Sequence, residues 1–237
     1  MGIALRVIGS SFRQVAGRFE KMLTANLIAA ITGLPVYAVA GVLAYFANEL
    51  TVGTILTAIL LGVLPYPGAA GLQAMAREMA AGEMLLMPGP IEGLRQYWKP
   101  ALRVWLVAVP ITAILFFNVF FYAHVSFPLA SLAEIAALYA LAVWLAAHVY
   151  VYPLLLEQEV KRIRLIYRNA FIMVISHPVF TFQVVVAWLL ILMICSASGI
   201  IVAIGLALAV AIQQNATARM IPTFRQQSAS QDPTAAS

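Results

Sequence analysis

Cysteine occurs once in the 237 residues, at Cys195, which excludes an intrachain disulfide and any multi-cysteine metal site. As a small apolar residue in a membrane helix it needs no further role. Charge is scarce as well: 10% of residues are Asp, Glu, Lys or Arg against 63% hydrophobic, and mean hydropathy is +0.95. A soluble domain of this size would expose too much apolar surface, so the bilayer is the expected solvent. Gly-rich phosphate loops, GxSxG elbows and HExxH helices are all missing. No enzyme activity, cofactor or metal is therefore expected. The net charge of +5 sits beside apolar runs rather than in a separate basic stripe, so it points to anionic lipid and not to nucleic acid.

The most informative absence is positional. All fourteen Lys and Arg fall in four polar segments. These are Arg6, Arg13, Arg18 and Lys21; Arg77, Arg95, Lys99 and Arg103; Lys161, Arg162, Arg164 and Arg168; and Arg219 with Arg225. The three segments between carry Glu49, His124 and Ser/Gly residues but no fixed positive charge. Cytoplasmic loops collect Lys and Arg, so the pattern predicts an even number of spans with both termini inside. Each span needs roughly 20 apolar residues, and six use nearly the whole length. The expected fold class is all-α, a polytopic membrane bundle with spans near 22–47, 52–76, 101–124, 129–156, 178–196 and 198–216.

Residues 1–21 read as an amphipathic interfacial helix. Ile8, Phe12, Val15, Phe19 and Met22 recur at three- and four-residue spacing, with Arg6, Arg13 and Lys21 on the other side. Its expected contact is lipid head groups, with a protein partner as the alternative. Ala38-Val39-Ala40 has the form of a signal-peptidase site, but the 21-residue charged leader and the apolar run continuing to Ala47 argue against cleavage. Ala25, Ala29 and Gly33, and later Gly199, Ala203, Ala207 and Ala211, form small-residue stripes that let helices approach closely.

The second span meets Pro65-Tyr66-Pro67-Gly68 after about thirteen residues and resumes through Ala69–Met79. Such a break opens the backbone ladder, and Pro65, Pro67 and Gly68 read either as a ligand site or as a packed kink. A helical stretch with Leu94, Trp98 and Leu102 on one side precedes the third span, and Arg95, Trp98 and Lys99 on it are candidate partner or lipid contacts. Arg162, Arg164 and His177 are candidates of the same kind, His177 standing where His177-Pro178 stops a short helix over Ala170–Ser176. The Ser/Gln/Ala-rich segment 226–237 reads as disordered.

Polar residues inside a bilayer are costly and so point to function. Asn118, Glu134 and His148 are candidate pathway residues, and Gln183 reads with Asn118 as a helix cross-link. Glu134 and His148 share a helix face but stand about 21 Å apart along the axis. His148 reads as a proton relay or as a neutral imidazole bonded to a neighbouring helix.

Several segments together resemble the YesL family of bacterial membrane proteins, the domain-of-unknown-function 624 family. They are Asn26-Leu27 with Gly33-Leu34-Pro35, the run Pro67-Gly68-Ala69-Ala70-Gly71-Leu72 into Arg77 and Glu83, and Leu94-Arg95-Gln96-Tyr97-Trp98-Lys99-Pro100-Ala101-Leu102. Tyr152-Pro153-Leu154-Leu155, Arg168-Asn169-Ala170-Phe171 and His177-Pro178 complete the set, over residues 12–220. The chain departs from the family at Gly68-Ala69-Ala70-Gly71 and at His177, where asparagine is common. The resemblance implies a small polytopic plasma-membrane protein of bacteria, often encoded near carbohydrate ABC transporters, with no established activity. The expected role is thus an accessory or regulatory component of a transport system, with ABC transporter subunits or further copies of the chain as partners. The alternative is a self-sufficient small transporter or channel.

Overall fold

A computed structural model describes residues 2–47, 66–81, 89–125, 127–158, 161–197 and 205–231, apart from the side chains of 2, 34–47, 192–193, 195–197 and 222–231. Every described element is helical. Helix α1 (Gly2–Gly17) leads into α2 (Phe19–Ala47), and a 3₁₀ turn (Pro67–Ala69) opens α3 (Ala70–Ala81). Helices α4 (Pro90–His124) and α5 (Ala130–Glu157) form a hairpin, α6 (Ile163–Ser176) meets α7 (Pro178–Ala197) at an elbow, and α8 (Gly205–Gln231) follows. Among the described residues, α4 and α5 are each long and apolar enough to cross a membrane. Helices α6 and α7, bent by 105°, make a third crossing if taken as one broken span. Phe117, Phe120, Leu132, Ile135 and Tyr139 of the hairpin all point outward, the arrangement that lipid rather than water favours.

Burial concentrates at one end of the bundle. Every residue of α5 from Ala147 to Leu156 is buried, with most of α3, the Gly205–Thr217 part of α8, and Met22, Ala25, Asn26, Ala29 and Gly33 of α2. Small residues permit this density. Gly71 lies against the backbone carbonyl of Pro90, and Gly93 against Ala74 and the Gly71 backbone, so α3 and α4 cross almost in backbone contact. The Ala25–Gly33 stripe seats the 3₁₀ turn, where the Tyr66 hydroxyl donates to the Ala29 carbonyl at 2.9 Å and Gly68 lies against the Thr32 hydroxyl. Ala207 and Ala211 are buried as the α8 stripe predicts, while Gly199 and Ala203 fall outside the described residues.

The helical stretch expected ahead of the third span and the span expected from 101 run on as a single helix. Pro90 stands in the first turn, where its missing N–H costs nothing, and the Glu92 carboxylate accepts the Gly89 N–H at 3.3 Å. The buried stripe is Gly93, Tyr97, Ala101, Val104, Ala108 and Thr112, one residue away from the Leu94–Trp98–Leu102 face, because the close crossing of α3 needs the glycine side. The inward face of α1 likewise differs from the expected one. Ala4, Val7, Ser11 and Val15 are buried while Phe12 and Phe19 stay exposed, since α1 packs on α8 and α7. Helix α8 runs to Gln231, into the segment from Gln226 read as a tail.

Replacing Gly71 by Ala drives a Cβ into the Pro90 carbonyl. We expect Gly71→Ala to lose about 2–3 kcal/mol in detergent thermal unfolding, as overpacking does. Gly89→Ala, with nothing within 4 Å, should unfold like the parent. Equal stability of the two variants would contradict this packing.

Candidate functional site

A seam of amides in the interior joins α3, α8 and α1. Gln73 Nε2 donates to Gln213 Oε1 at 2.9 Å, and Gln214 Nε2 donates to Gln73 Oε1 at 2.8 Å. One residue on, Asn215 Nδ2 donates to Gln14 Oε1 at 2.7 Å and Ser11 Oγ at 3.0 Å, both on α1. Gln14 Nε2 in turn reaches the Met79 carbonyl at 3.2 Å, returning to α3. Gln73, Gln213, Gln214, Asn215 and Ser11 are all buried. Asn26 Oδ1 on α2 also accepts the Ala207 N–H of α8 at 2.8 Å, a bond between the two helices.

Beside the seam an open cleft of about 230 Å³ is lined by Arg77, Glu157, Gln214 and Thr217 with Ala80, Ala81, Ala218 and Ile221. Arg77 Nε donates to Glu157 Oε1 at 2.7 Å, closing α3 onto the end of α5. Partial burial works against the Arg77 charge, but the hydrogen bond and charge of Glu157 outweigh it, so the guanidinium pKa lies above its ordinary value. Lys161 lies over the Tyr97 ring at 5.3 Å and donates to the carbonyls of Leu155 and Gln158 at 2.7 and 3.1 Å. Burial, and then the Arg77 charge, lower its pKa against the pull of Glu157. These contacts bring the second and third basic segments of the sequence together at one end of the bundle, with the Thr217–Ile221 stretch of α8 beside them. Arg95, Lys99 and Arg103 on α4 and Arg162, Arg164 and Arg168 at α6 face outward there, and the Lys99 ammonium stands 5.8 Å from the exposed Trp98 ring.

His148 is buried and fully bonded. Its Nδ1 lies 2.8 Å from the Trp144 carbonyl, which can only accept, so Nδ1 carries the proton. Nε2 then accepts from the Tyr167 hydroxyl at 3.2 Å. Trp144 stacks on Tyr167 with centroids 5.1 Å apart and donates to Thr112 Oγ1 at 2.8 Å, which donates on to the Ala108 carbonyl at 2.7 Å. The chain of bonds therefore ties α4, α5 and α6 together.

Of the candidate pathway residues, Asn118 and Glu134 are half-buried and neither hydrogen-bonds to the other or to His148 among the described residues. Gln183 is half-buried and joins neither group. Gly68 and Pro67 sit in a filled kink: Thr32 and the Tyr66 ring occupy the space at Gly68, and the Tyr66 carbonyl accepts the Tyr152 hydroxyl at 3.3 Å. Pro65 lies outside the described residues, as does the turn at Glu49. His177 caps the C-terminus of α6 at the elbow, and its Nδ1 has no hydrogen-bond partner among the described residues. Among the described residues no group of His, Cys, Asp and Glu side chains is placed to hold a metal ion.

Sequence reasoning missed the amide seam. Gln213-Gln214-Asn215 fall at the end of the span expected over 198–216, and their meeting with Gln73 and with Ser11 and Gln14 makes them interior. One signal was available: three adjacent amides point around a helix, so some of them must face inward whichever side packs.

No protein-family model matches the chain, and no curated protein or solved structure matches it.

If the seam holds α1, then Asn215→Leu weakens that docking by about 1–2 kcal/mol, the range for interhelical hydrogen bonds in membranes. A thiol at the buried position Ala4 (Ala4→Cys in a Cys195→Ser background) should then react with maleimide about tenfold faster, the factor that about 1.4 kcal/mol represents. An unchanged labelling rate would remove the seam from the account.

Proposed function

We propose that this chain is a non-enzymatic, six-span protein of the bacterial plasma membrane, with both termini and the basic end cytoplasmic, that assists or regulates a transport system. The observation that carries the reading is the direction of its polar groups. Inside the bundle, amides and His148 are bonded to one another and to backbone, leaving no open polar file across the membrane among the described residues. At the basic end, by contrast, Arg95, Trp98, Lys99 and Arg103 stand outward on a helix anchored by Gly93 and Tyr97. A rigid ledge of cations and one indole suits an acidic protein surface, since Arg and Trp anchor interfaces and charge steers encounter. The YesL resemblance adds the partner class, the subunits of a carbohydrate importer.

A second reading, a self-sufficient small transporter, draws support from the cleft at Arg77 and Glu157, which is large enough for a small polar solute. Its test is substrate-dependent flux in proteoliposomes, which must fall in Glu157→Gln.

The accessory reading predicts stoichiometric recovery of transporter subunits when the chain is purified from native membranes in mild detergent. Crosslinks should fall on residues 90–103, and Arg95→Glu with Lys99→Glu should reduce recovery at least about tenfold, as reversing rim charges does. Purification of the chain alone, with flux across the cleft intact, would replace this reading by the second.

A further inference from the structure

Helix α6 has two faces with different fates. Ile166, Tyr167, Ala170, Met173 and Val174 are buried, and the His148 bond and Trp144 stack fix them on α5. On the opposite side, at spacings of four, four and three, stand Arg164, Arg168, Ile172 and Ile175, all exposed. The stripe is cationic at its start and apolar from Ile172 onward. It does not stop at the elbow, because Val179 and Phe182 on α7 are each 69% exposed and continue it. Helix α7 leaves α6 at 105°. A crossing α7 near the bilayer normal therefore lays α6 within about 35° of the membrane plane, allowing the usual tilt of about 20° in either direction.

We propose that the outer face of α6 and the elbow bind anionic phospholipid. Headgroup phosphates meet Arg164 and Arg168, and acyl chains run along Ile172, Ile175, Val179 and Phe182. An acidic protein would satisfy the arginines but would have to cover an apolar stripe that descends along a membrane-crossing helix. Lipid is acidic and apolar in the same order as the stripe. Docked through Tyr167 to the His148 cluster, α6 is a fixed rail for that leaflet and not a floating anchor. The inference rests on the membrane reading above and adds the ligand class for one of its faces.

The test uses the full chain in nanodiscs of equimolar phosphatidylglycerol and phosphatidylcholine, with retained lipid counted by native mass spectrometry. The parent should retain phosphatidylglycerol preferentially. Arg164→Gln with Arg168→Gln should cut that preference about tenfold, since each cation at an anionic surface contributes about a fivefold factor and exposure to salt reduces it. Arg164→Lys with Arg168→Lys, which keeps both charges, should restore most of the preference. Independently of any arginine variant, a nitroxide at Ile175 (Ile175→Cys in a Cys195→Ser background) should be accessible to oxygen and shielded from aqueous nickel. Unchanged preference in the arginine variant, or a water-exposed nitroxide in an inserted protein, overturns the lipid face alone. Failure to insert at all overturns the membrane reading, and the lipid face with it.

Discussion

A buried amide in a lipid solvent has only other protein groups to bond to, and Gln73 turns that constraint into architecture. Helix α3 is 12 residues long, begins at a proline break and has few contacts of its own with the outside. Its one interior amide bonds to two consecutive glutamines of α8, which fixes the rotation and the height of α8 against it. The next residue of α8, Asn215, then captures α1. Each such bond contributes only about 0.6–1.7 kcal/mol in a membrane, whereas leaving a group unsatisfied there costs several kcal/mol. The seam therefore selects one arrangement mainly by penalising the others. Glycine sets how close the helices come, at Gly71 and Gly93; the amides set their register.

The sequence was most readable where a single residue type acts locally. Pro67-Gly68 and His177-Pro178 mark real helix boundaries, because proline removes a backbone donor wherever it occurs. The Ala25–Ala29–Gly33 stripe is buried, because small side chains on one face have little other use in a span. Legibility failed where the answer depends on a distant segment. The inward side of α1 contains Ser11 in place of Phe12, a choice that hydrophobicity alone gets backwards, since Asn215 is 204 residues away. The amide seam belongs to the same class. Pro100 and Pro110 sit inside α4 without ending it, so proline by itself does not decide a boundary in a helix held by neighbours. The six spans and their direction rest on charge pattern, while the described residues contain two helices able to cross by themselves, and a third crossing if α6 and α7 are taken as one broken span.

The placement of polar groups gives the site its meaning. His148, the residue with the best claim to proton chemistry, uses one nitrogen on a backbone carbonyl and the other on Tyr167, and so works as a strut between α5 and α6. What it braces is a helix whose outer face passes from arginine to isoleucine. On the other side of the hairpin, Gly93 and Tyr97 brace a ledge bearing Arg95, Trp98 and Lys99. The buried chemistry thus serves to hold charged surfaces still at the basic end.

The central claim is that this basic end faces the cytoplasm and that the chain reaches it from six crossings. Cysteine substitutions in a Cys195→Ser background at Glu49, Ser126 and Gly199, and at Glu83, Gln158 and Gln226, would report it through a membrane-impermeant maleimide applied to whole cells and to inverted vesicles. The account predicts labelling of the first three only from outside and of the last three only from inside. Any position labelled from the opposite side would contradict the six-span arrangement, and labelling of Gln158 from outside would contradict the cytoplasmic placement of the basic end.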